Sequence, residues 1–339
     1  MTSSILVTGG AGYIGSHMVK LLLRQGHQVT VFDNLSSGHR DAVQGVDFVE
    51  GDLRRTTDAA QAFSGRHFDL VMHFAASCYV GESVLEPGKY YSNNVIGTLN
   101  LLEAMRAVQV KRLVFSSTCS TYGDPVLLPM SEDHPQHPVN PYGMTKLTAE
   151  RAMTDYGRAY GLGTVALRYF NAAGCDSEGE LGERHDPETH LIPLVLREAL
   201  RMRAGGNPED TQLQVFGDDF DTPDGSCIRD YVHIADLCAA HLLAMERLMG
   251  DEVAGFKAFN LGIGKGFSVK EVIETCRRVT GQDIRYRVAG RRAGDPARLV
   301  ASAERARAEL GWSPQFNELS DIVETAWRWF SRQPALANG

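Results

Sequence analysis

"SILVTGGAGYIGSHMVKLLLRQGHQVTVFD", residues 4–33, decides the fold. A short β-branched run ends at Thr8. Gly9, Gly12 and Gly15 follow in a G-x-x-G-x-x-G spacing, an amphipathic stretch comes next, and a second β-branched run closes on Asp33. Glycines permit a tight strand-to-helix turn and let backbone N–H groups approach a pyrophosphate at the positive end of the helix. Asp33 lies 18 residues after Gly15, where a carboxylate receives ribose hydroxyls. An acid there repels a 2′-phosphate, and "DNLSSG" holds no arginine in its place, so NAD is favoured over NADP, although Arg40 is not far behind. The third run likewise ends in an acid, Asp52 of "EGDLRR", a candidate for the adenine amine.

Outward from this unit the pattern repeats. "VDFVEGD", "FDLVMHF", "VKRLVFSST" and "GTVALRYF" alternate with longer amphipathic stretches up to about residue 170. Runs that are nearly continuous in apolar residues fit strands covered on both faces, and the alternation predicts an α/β fold, a doubly wound parallel sheet. After Phe170 the texture changes to "NAAGCDSEGELGERHDPETH", a polar loop leading into a smaller mixed α/β region. The expected division is 1–171, with a return segment near 229–250, and mainly 172–339, with a ligand between the two parts. In the helical stretch Val84 to Val108, "YYSNNVIGT" sets polar Asn93 and Asn94 amid apolar periodicity, where an asparagine could turn to a ligand.

The chain has 339 residues, 43% hydrophobic and 22% charged, as in ordinary soluble globular proteins. No signal peptide and no apolar run of about 20 residues is found, so a cytoplasmic protein without membrane contact is expected. A net charge of −8 without a dense basic block argues against nucleic acid. The six cysteines contain no C-x-x-C, so no metal site is expected.

A second motif carries chemistry. In "NPYGMTK", Asn140 reads as a helix N-cap and Pro141 as the first helical residue, which places Tyr142 and Lys146 one turn apart on one face. Thr118, at the end of the fifth strand, falls where ligands sit in such sheets. Making a tyrosine a base near pH 7 requires lowering its pKa by roughly 3 units, or about 4 kcal/mol. A lysine charge about 6 Å away at an effective dielectric of about 20 supplies about 2.8 kcal/mol. The shortfall points to the helix N-terminus and to a nearby positive nicotinamide ring.

The combination TGG-x-G-Y-I-G, "HFAA", "SST…YG", "NPYGMTK" and "RYFNAAG" resembles the extended short-chain dehydrogenase/reductase family. Through "VFGDDFDTPDGSCIRDYVHIADL" and "RRAGDPA" the resemblance narrows to its branch that inverts C4 of UDP-hexoses. It implies that Tyr142 takes the proton of the sugar 4-hydroxyl while C4 gives its hydride to NAD⁺, that the 4-keto sugar turns over in the site, and that NAD is retained. Lys146 would hold the nicotinamide ribose, and Thr118 the 4-oxygen. For the cofactor it implicates Tyr13 and Ile14; the stretch Asp33, Asn34, Leu35, Ser36, Ser37 and Gly38; Asp52 and Leu53; Phe74, Ala75 and Ala76; and Asn94 and Phe170. Cys78 stands where some members have lysine. For the UDP-sugar it implies Arg229 and Arg292 as diphosphate clamps, since guanidinium forks suit phosphate. Asp295 would face the uridine ribose, with Asn171, His190, Leu191 and Phe216 lining the site. Leu299 stands where narrow-specificity relatives place a bulky tyrosine, which leaves room for N-acetylated UDP-hexosamines. Relatives of this kind are commonly homodimers joined through the 84–108 and 141–160 helices.

Three other readings share parts of this pattern. A sugar-nucleotide 4,6-dehydratase needs an acid pair after the active-site threonine, and here "CSTYG" follows. A UDP-uronate decarboxylase shares the 4-keto step but needs a receiver for the sugar carboxylate. A non-catalytic NAD sensor usually loses the tyrosine or the lysine, and both are present.

Overall fold

The computed structural model describes residues 2–250, 255–292 and 294–333. Its main sheet takes β1 (Ser4–Thr8), β2 (Gln28–Asp33), β3 (Asp47–Glu50), β4 (Leu70–His73), β5 (Arg112–Thr118) and β6 (Gly163–Tyr169) from the six runs named above. Shorter strands follow: β7 (Asn171–Ala173), β8 (Gln214–Phe216), β9 (Ile228–His233), β10 (Gly255–Leu261), β11 (Gly266–Ser268), β12 (Arg287–Ala289) and β13 (Arg298–Leu299). The main sheet has seven parallel strands in the order β3-β2-β1-β4-β5-β6-β10, so the winding reverses between β1 and β4. That crevice, at the carboxyl ends of the strands, is where such sheets hold dinucleotides.

The seventh strand, β10, joins the main sheet from beyond the return segment expected near 229–250. β10 pairs with β6 over Gly255–Leu261, and the preceding helix Ile234–Met249 packs its buried Leu237, Ala240, Ala244 and Leu248 on the sheet. The helix Tyr13–Arg24 shares that face. Its buried Gly15, Met18, Val19 and Leu22 follow the i, i+3, i+4, i+7 pattern, and each of the larger side chains contributes about 1.5–3 kcal/mol by burial. Helices Thr56–Phe63, Gly97–Ala107 and Pro141–Tyr160 cover the other face through Ala59, Leu101, Leu102, Ala149 and Met153.

A second core lies among the helices Leu191–Arg203, Val269–Thr280 and Leu319–Phe330, centred on Val195, Leu196, Val272, Ile322 and Trp329. β9 bridges the halves, since its first residues lie between β11 and β13 and its last, Tyr231 to His233, pair with β7. Between the two cores, Phe170 packs with Cys119, Tyr122, Met130 and Ala301, and Leu299 leans on this cluster.

The expected Val84–Val108 helix is broken near its start. Short helices at Val80–Leu85 and Pro87–Tyr90 precede a π-helical turn at Tyr91–Ile96, and α-helix resumes at Gly97–Ala107. The wider turn coincides with Asn93 and Asn94, and such turns frequently mark functional positions.

Candidate active site

The glycine turn is built for close approach. Gly9 has φ +71°, and a Cβ there would lie 2.4 Å from the Ala75 nitrogen; a Cβ on Gly15 would lie 2.1 Å from the Gly9 carbonyl oxygen. The chain just after β4, which carries Phe74, Ala75 and Ala76, therefore presses against the turn through Phe74 and Ala75. The helix Tyr13–Arg24 starts at Gly12 without a side-chain cap, leaving first-turn N–H groups, with Tyr13 and Ile14, for an anionic ligand.

Asp33 is buried. Its Oδ2 accepts from the Ala11 N–H at 2.9 Å and its Oδ1 from the Leu35 N–H at 2.8 Å. Burial pushes its carboxyl up, and those backbone donors oppose the shift. Two of its roughly four lone-pair sites remain for ribose hydroxyls. The 34–38 loop runs against the turn: Leu35 has φ 56°, and the His39 N–H donates to the Ala11 carbonyl at 2.9 Å. Asn34 accepts from the Ser36 N–H, and Ser37 and Gly38 complete the loop. Arg40 is turned onto the Phe48 ring, 4.3 Å from its centroid, and donates to the Val43 carbonyl. That engagement fits a site for NAD and not for a 2′-phosphate. Asp52 is forked by Arg54, which holds its carboxyl below the usual range, while Leu53 is buried in the core.

Asn94 is buried, with its amide engaged within the chain. Its Oδ1 accepts from the Ser77 N–H at 2.8 Å, and its Nδ2 donates to the Ser77 carbonyl at 3.0 Å and to the Thr145 hydroxyl at 3.1 Å. It thus ties the loop after β4 to the Pro141–Tyr160 helix.

That helix starts as the motif predicts: Asn140 caps it by accepting from the Gly143 N–H at 2.8 Å, and Pro141 opens it. Tyr142 and Lys146 are both buried beneath the carboxyl end of β5. Lys146 donates to the Ser116 carbonyl at 2.8 Å and lies 4.7 Å from the Phe115 ring centroid. Burial pushes its ammonium down to about 8, against Cys78 and Glu150. Burial also pushes the Tyr142 phenol well up, with Tyr169 and Cys78 adding to it and a hydrogen bond with Thr118 opposing it. This corrects the electrostatic expectation, which counted a charged lysine and omitted desolvation. The protein groups alone keep Tyr142 a phenol, so a charge lowering its pKa must arrive with the bound molecules.

One positioning group escaped the sequence reading. Glu150, one turn beyond Lys146, is buried, forked by Arg168 of β6 at 2.9 and 2.6 Å, and accepts from the Ser117 hydroxyl at 2.5 Å. Ser117 adjoins Thr118, so the pair locks the helix against the carboxyl end of β5. Nothing in the local pattern marks it, because a buried charge is recognisable only beside its partner.

In the second half, Arg229 of β9 donates to Asp295 at 2.6 Å, and Arg292 reaches the other oxygen of Asp295 at 3.0 Å while lying 5.0 Å from the Phe216 ring centroid. Asn171 donates to the Asp230 carbonyl at 3.1 Å. His190 stands at the N-cap position of Leu191–Arg203 without a side-chain cap hydrogen bond and pairs with Glu183 at 2.6 Å. Leu299 and Phe170 share the cluster that adjoins Thr118 through Cys119.

A family model, the NAD dependent epimerase/dehydratase family, matches residues 5–262. The chain belongs to this family. Its cofactor is NAD, and the uncapped helix start, the compressed glycine turn and Asp33 fit that group. The UDP-glucose 4-epimerase of Halalkalibacterium halodurans is 54% identical over 331 residues, 98% of this chain and 96% of the relative. The UDP-glucose 4-epimerase of Corynebacterium glutamicum is 50% identical over 328 residues, 96% and 95% of the two chains. The crystal structure of UDP-glucose 4-epimerase from Brucella ovis in complex with NAD matches with a TM-score of 0.90 at 48% identity, covering 97% of this chain and 98% of the other. That from Bifidobacterium longum in complex with NAD⁺ and UDP matches with a TM-score of 0.90 at 35% identity, covering 98% and 99%.

Proposed function

We propose that the chain is an isomerase of the UDP-glucose 4-epimerase type, interconverting UDP-glucose and UDP-galactose through a transient 4-keto sugar. The observation that carries this reading is the placement of Tyr142 and the Thr118 hydroxyl at the carboxyl edge of β5, with the Arg229–Asp295–Arg292 cluster in the facing half. When bound, NAD⁺ supplies a two-electron acceptor that is restored within one catalytic cycle. Tyr142 takes the proton from the sugar 4-hydroxyl and returns it to the 4-oxygen once C4 is inverted. Thr118 holds the 4-oxygen, and Lys146, fixed by the Ser116 carbonyl, is the candidate for the nicotinamide ribose. Arg229 and Arg292 clamp the diphosphate, and Asp295, Asn171, Leu191 and Phe216 line the nucleotide. Cys119, which follows Thr118 where a dehydratase needs an acid, has its thiol pushed up to about 12 by burial and cannot serve as one.

The test is incubation with UDP-galactose without added cofactor, followed by NMR. UDP-glucose should accumulate to a fixed ratio; no conversion would return the chain to the NAD-sensing reading. Leu299 in place of a larger side chain supports acceptance of UDP-GlcNAc and UDP-GalNAc. No product from UDP-GlcNAc under conditions that convert UDP-glucose would withdraw that extension.

The two separate cores support the division into 1–171, with a return near 229–250, and mainly 172–339, with β10 carrying the return on to Leu261. A homodimer is supported by apolar side chains left exposed on the two helices expected to pair, among them Val84, Leu85, Tyr91 and Ile96 on one segment and Met144 and Tyr160 on the other. Sedimentation should give twice the chain mass. Cytoplasmic residence is supported by the six cysteines, all of them free thiols, and among the described residues no helix is long and apolar enough to cross a membrane.

A further inference from the structure

The loop "ERHDPETH", residues 183–190, folds two imidazoles and two carboxylates onto one point. One ligand atom each from Glu183, His185, Glu188 and His190 lies within 4.8 Å of all the others. His185 Nδ1 is 3.3 Å from Glu183 Oε1 and 3.8 Å from Glu188 Oε2, and His190 Nδ1 is 2.6 Å from Glu183 Oε1 and 3.4 Å from Glu188 Oε1. A tetrahedral ion with bonds of 2.0–2.1 Å needs its ligand atoms about 3.3 Å apart. Two of the four separations, His185 Nδ1 to Glu183 Oε1 at 3.3 Å and His190 Nδ1 to Glu188 Oε1 at 3.4 Å, are already close to that edge.

A second observation points to a ligand. The Glu188 side chain is fully buried, and its Oε2 has no hydrogen-bond partner; nor does the buried Nδ1 of His185. Glu188 Oε1, in contrast, accepts from the N–H groups of Thr189 and His190 at 2.8 and 2.9 Å, which orients the carboxylate and aims its other oxygen at the cluster. Leaving a buried carboxylate oxygen and an imidazole nitrogen unsatisfied is costly. An imidazolium–carboxylate network does not resolve this, because each Nδ1–H serves one acceptor well and His185 stands 3.8 Å from the free oxygen. A dication bound by two neutral imidazoles and two carboxylates satisfies all four groups and sums to zero charge.

We infer that Glu183, His185, Glu188 and His190 form a structural site for a divalent metal of the zinc class. Two nitrogen and two oxygen donors in a tetrahedral arrangement suit zinc, whereas calcium and magnesium prefer all-oxygen shells. The ion would pin the polar loop to the first half of the chain, since the rings of Tyr13 and Tyr79 stand edge-on to His185 at 6.2 and 5.8 Å. It would also fix the His190 ring through Nδ1. Cysteine spacing could not reveal this site, which is written in Glu-x-His-x-x-Glu-x-His.

The test is zinc content by mass spectrometry after the purified full chain is incubated with ZnCl₂ and gel-filtered. The wild type should hold about one zinc per chain, and H185A and E188Q at least about tenfold less. X-ray absorption should give a shell of nitrogen and oxygen at about 2.0 Å. Zinc below about 0.1 per chain in the wild type, equal content in the variants, or sulfur in the first shell would each overturn the inference. If circular dichroism shows the variants unfolded, the wild-type stoichiometry and absorption spectrum decide alone.

Discussion

Asp295 accepts from the Arg229 guanidinium at 2.6 Å, with both side chains largely buried at 15% and 11% exposure. Its second oxygen takes Arg292, so one carboxylate sets the spacing of two guanidinium groups. In the proposed function this spacing would pre-organise the two forks for a diphosphate, which lowers the ordering cost of binding. Asp295→Ala should raise KM for UDP-glucose and weaken UDP binding by about tenfold, equivalent to about 1.4 kcal/mol, with kcat little changed. Calorimetry with UDP measures it; wild-type affinity in the variant would remove Asp295 from the clamp.

Tyr142 and Lys146 are displaced in opposite directions by the same cause, burial, which favours a neutral phenol and a less charged lysine. Binding of NAD⁺ should therefore lower the Tyr142 pKa, read as phenolate absorbance with Tyr142→Phe as the blank. Superimposable titrations with and without NAD⁺ would contradict this account. Tyr142→Phe should also lower kcat by about 10²–10⁴ while leaving UDP affinity intact.

The strands β1, β2, β4, β5 and β6 were legible as largely apolar, buried runs, while β3, an edge strand with Asp47 and Glu50 exposed, was legible from its place in the alternation and its terminal acid. β10 was not, since its sequence interleaves Lys257 and Asn260 with the apolar residues, and Asn260 enters the core only by accepting from Tyr122 and donating to the Met130 carbonyl. The Asn140 cap and the glycine turn could be read because their backbone chemistry is local. Glu150–Arg168 and Glu188–His185 depend on where the chain brings side chains together, which periodicity does not encode.

The buried Glu150–Arg168 pair gives a stability prediction. Glu150→Ala orphans a buried guanidinium and should cost about 3–5 kcal/mol, measured by urea unfolding. Glu150→Leu combined with Arg168→Met should recover most of that loss, because the penalty lies in the unpaired charge. Equal destabilisation of the single and double variants would show that packing, and not charge, is what the site requires.

His241 gives the pH dependence. It is 1% exposed, its Nδ1 bonds the Leu237 carbonyl, and burial holds its imidazole down at about 4 against an ordinary value of 6.5. Because the folded pKa is depressed, the stability it contributes is complete above about 6.5 and is lost as pH falls toward 4. Between pH 7 and pH 5 that loss is about 2 kcal/mol for this one residue. Asp230, whose carboxyl burial pushes up to about 6, works in the opposite sense over part of the range, so the whole-protein slope is not the test. The double difference is: urea unfolding of wild type and His241→Leu at both pH values should show the variant losing about 2 kcal/mol less on acidification. Equal losses would mean that His241 is already protonated in the folded chain at pH 5.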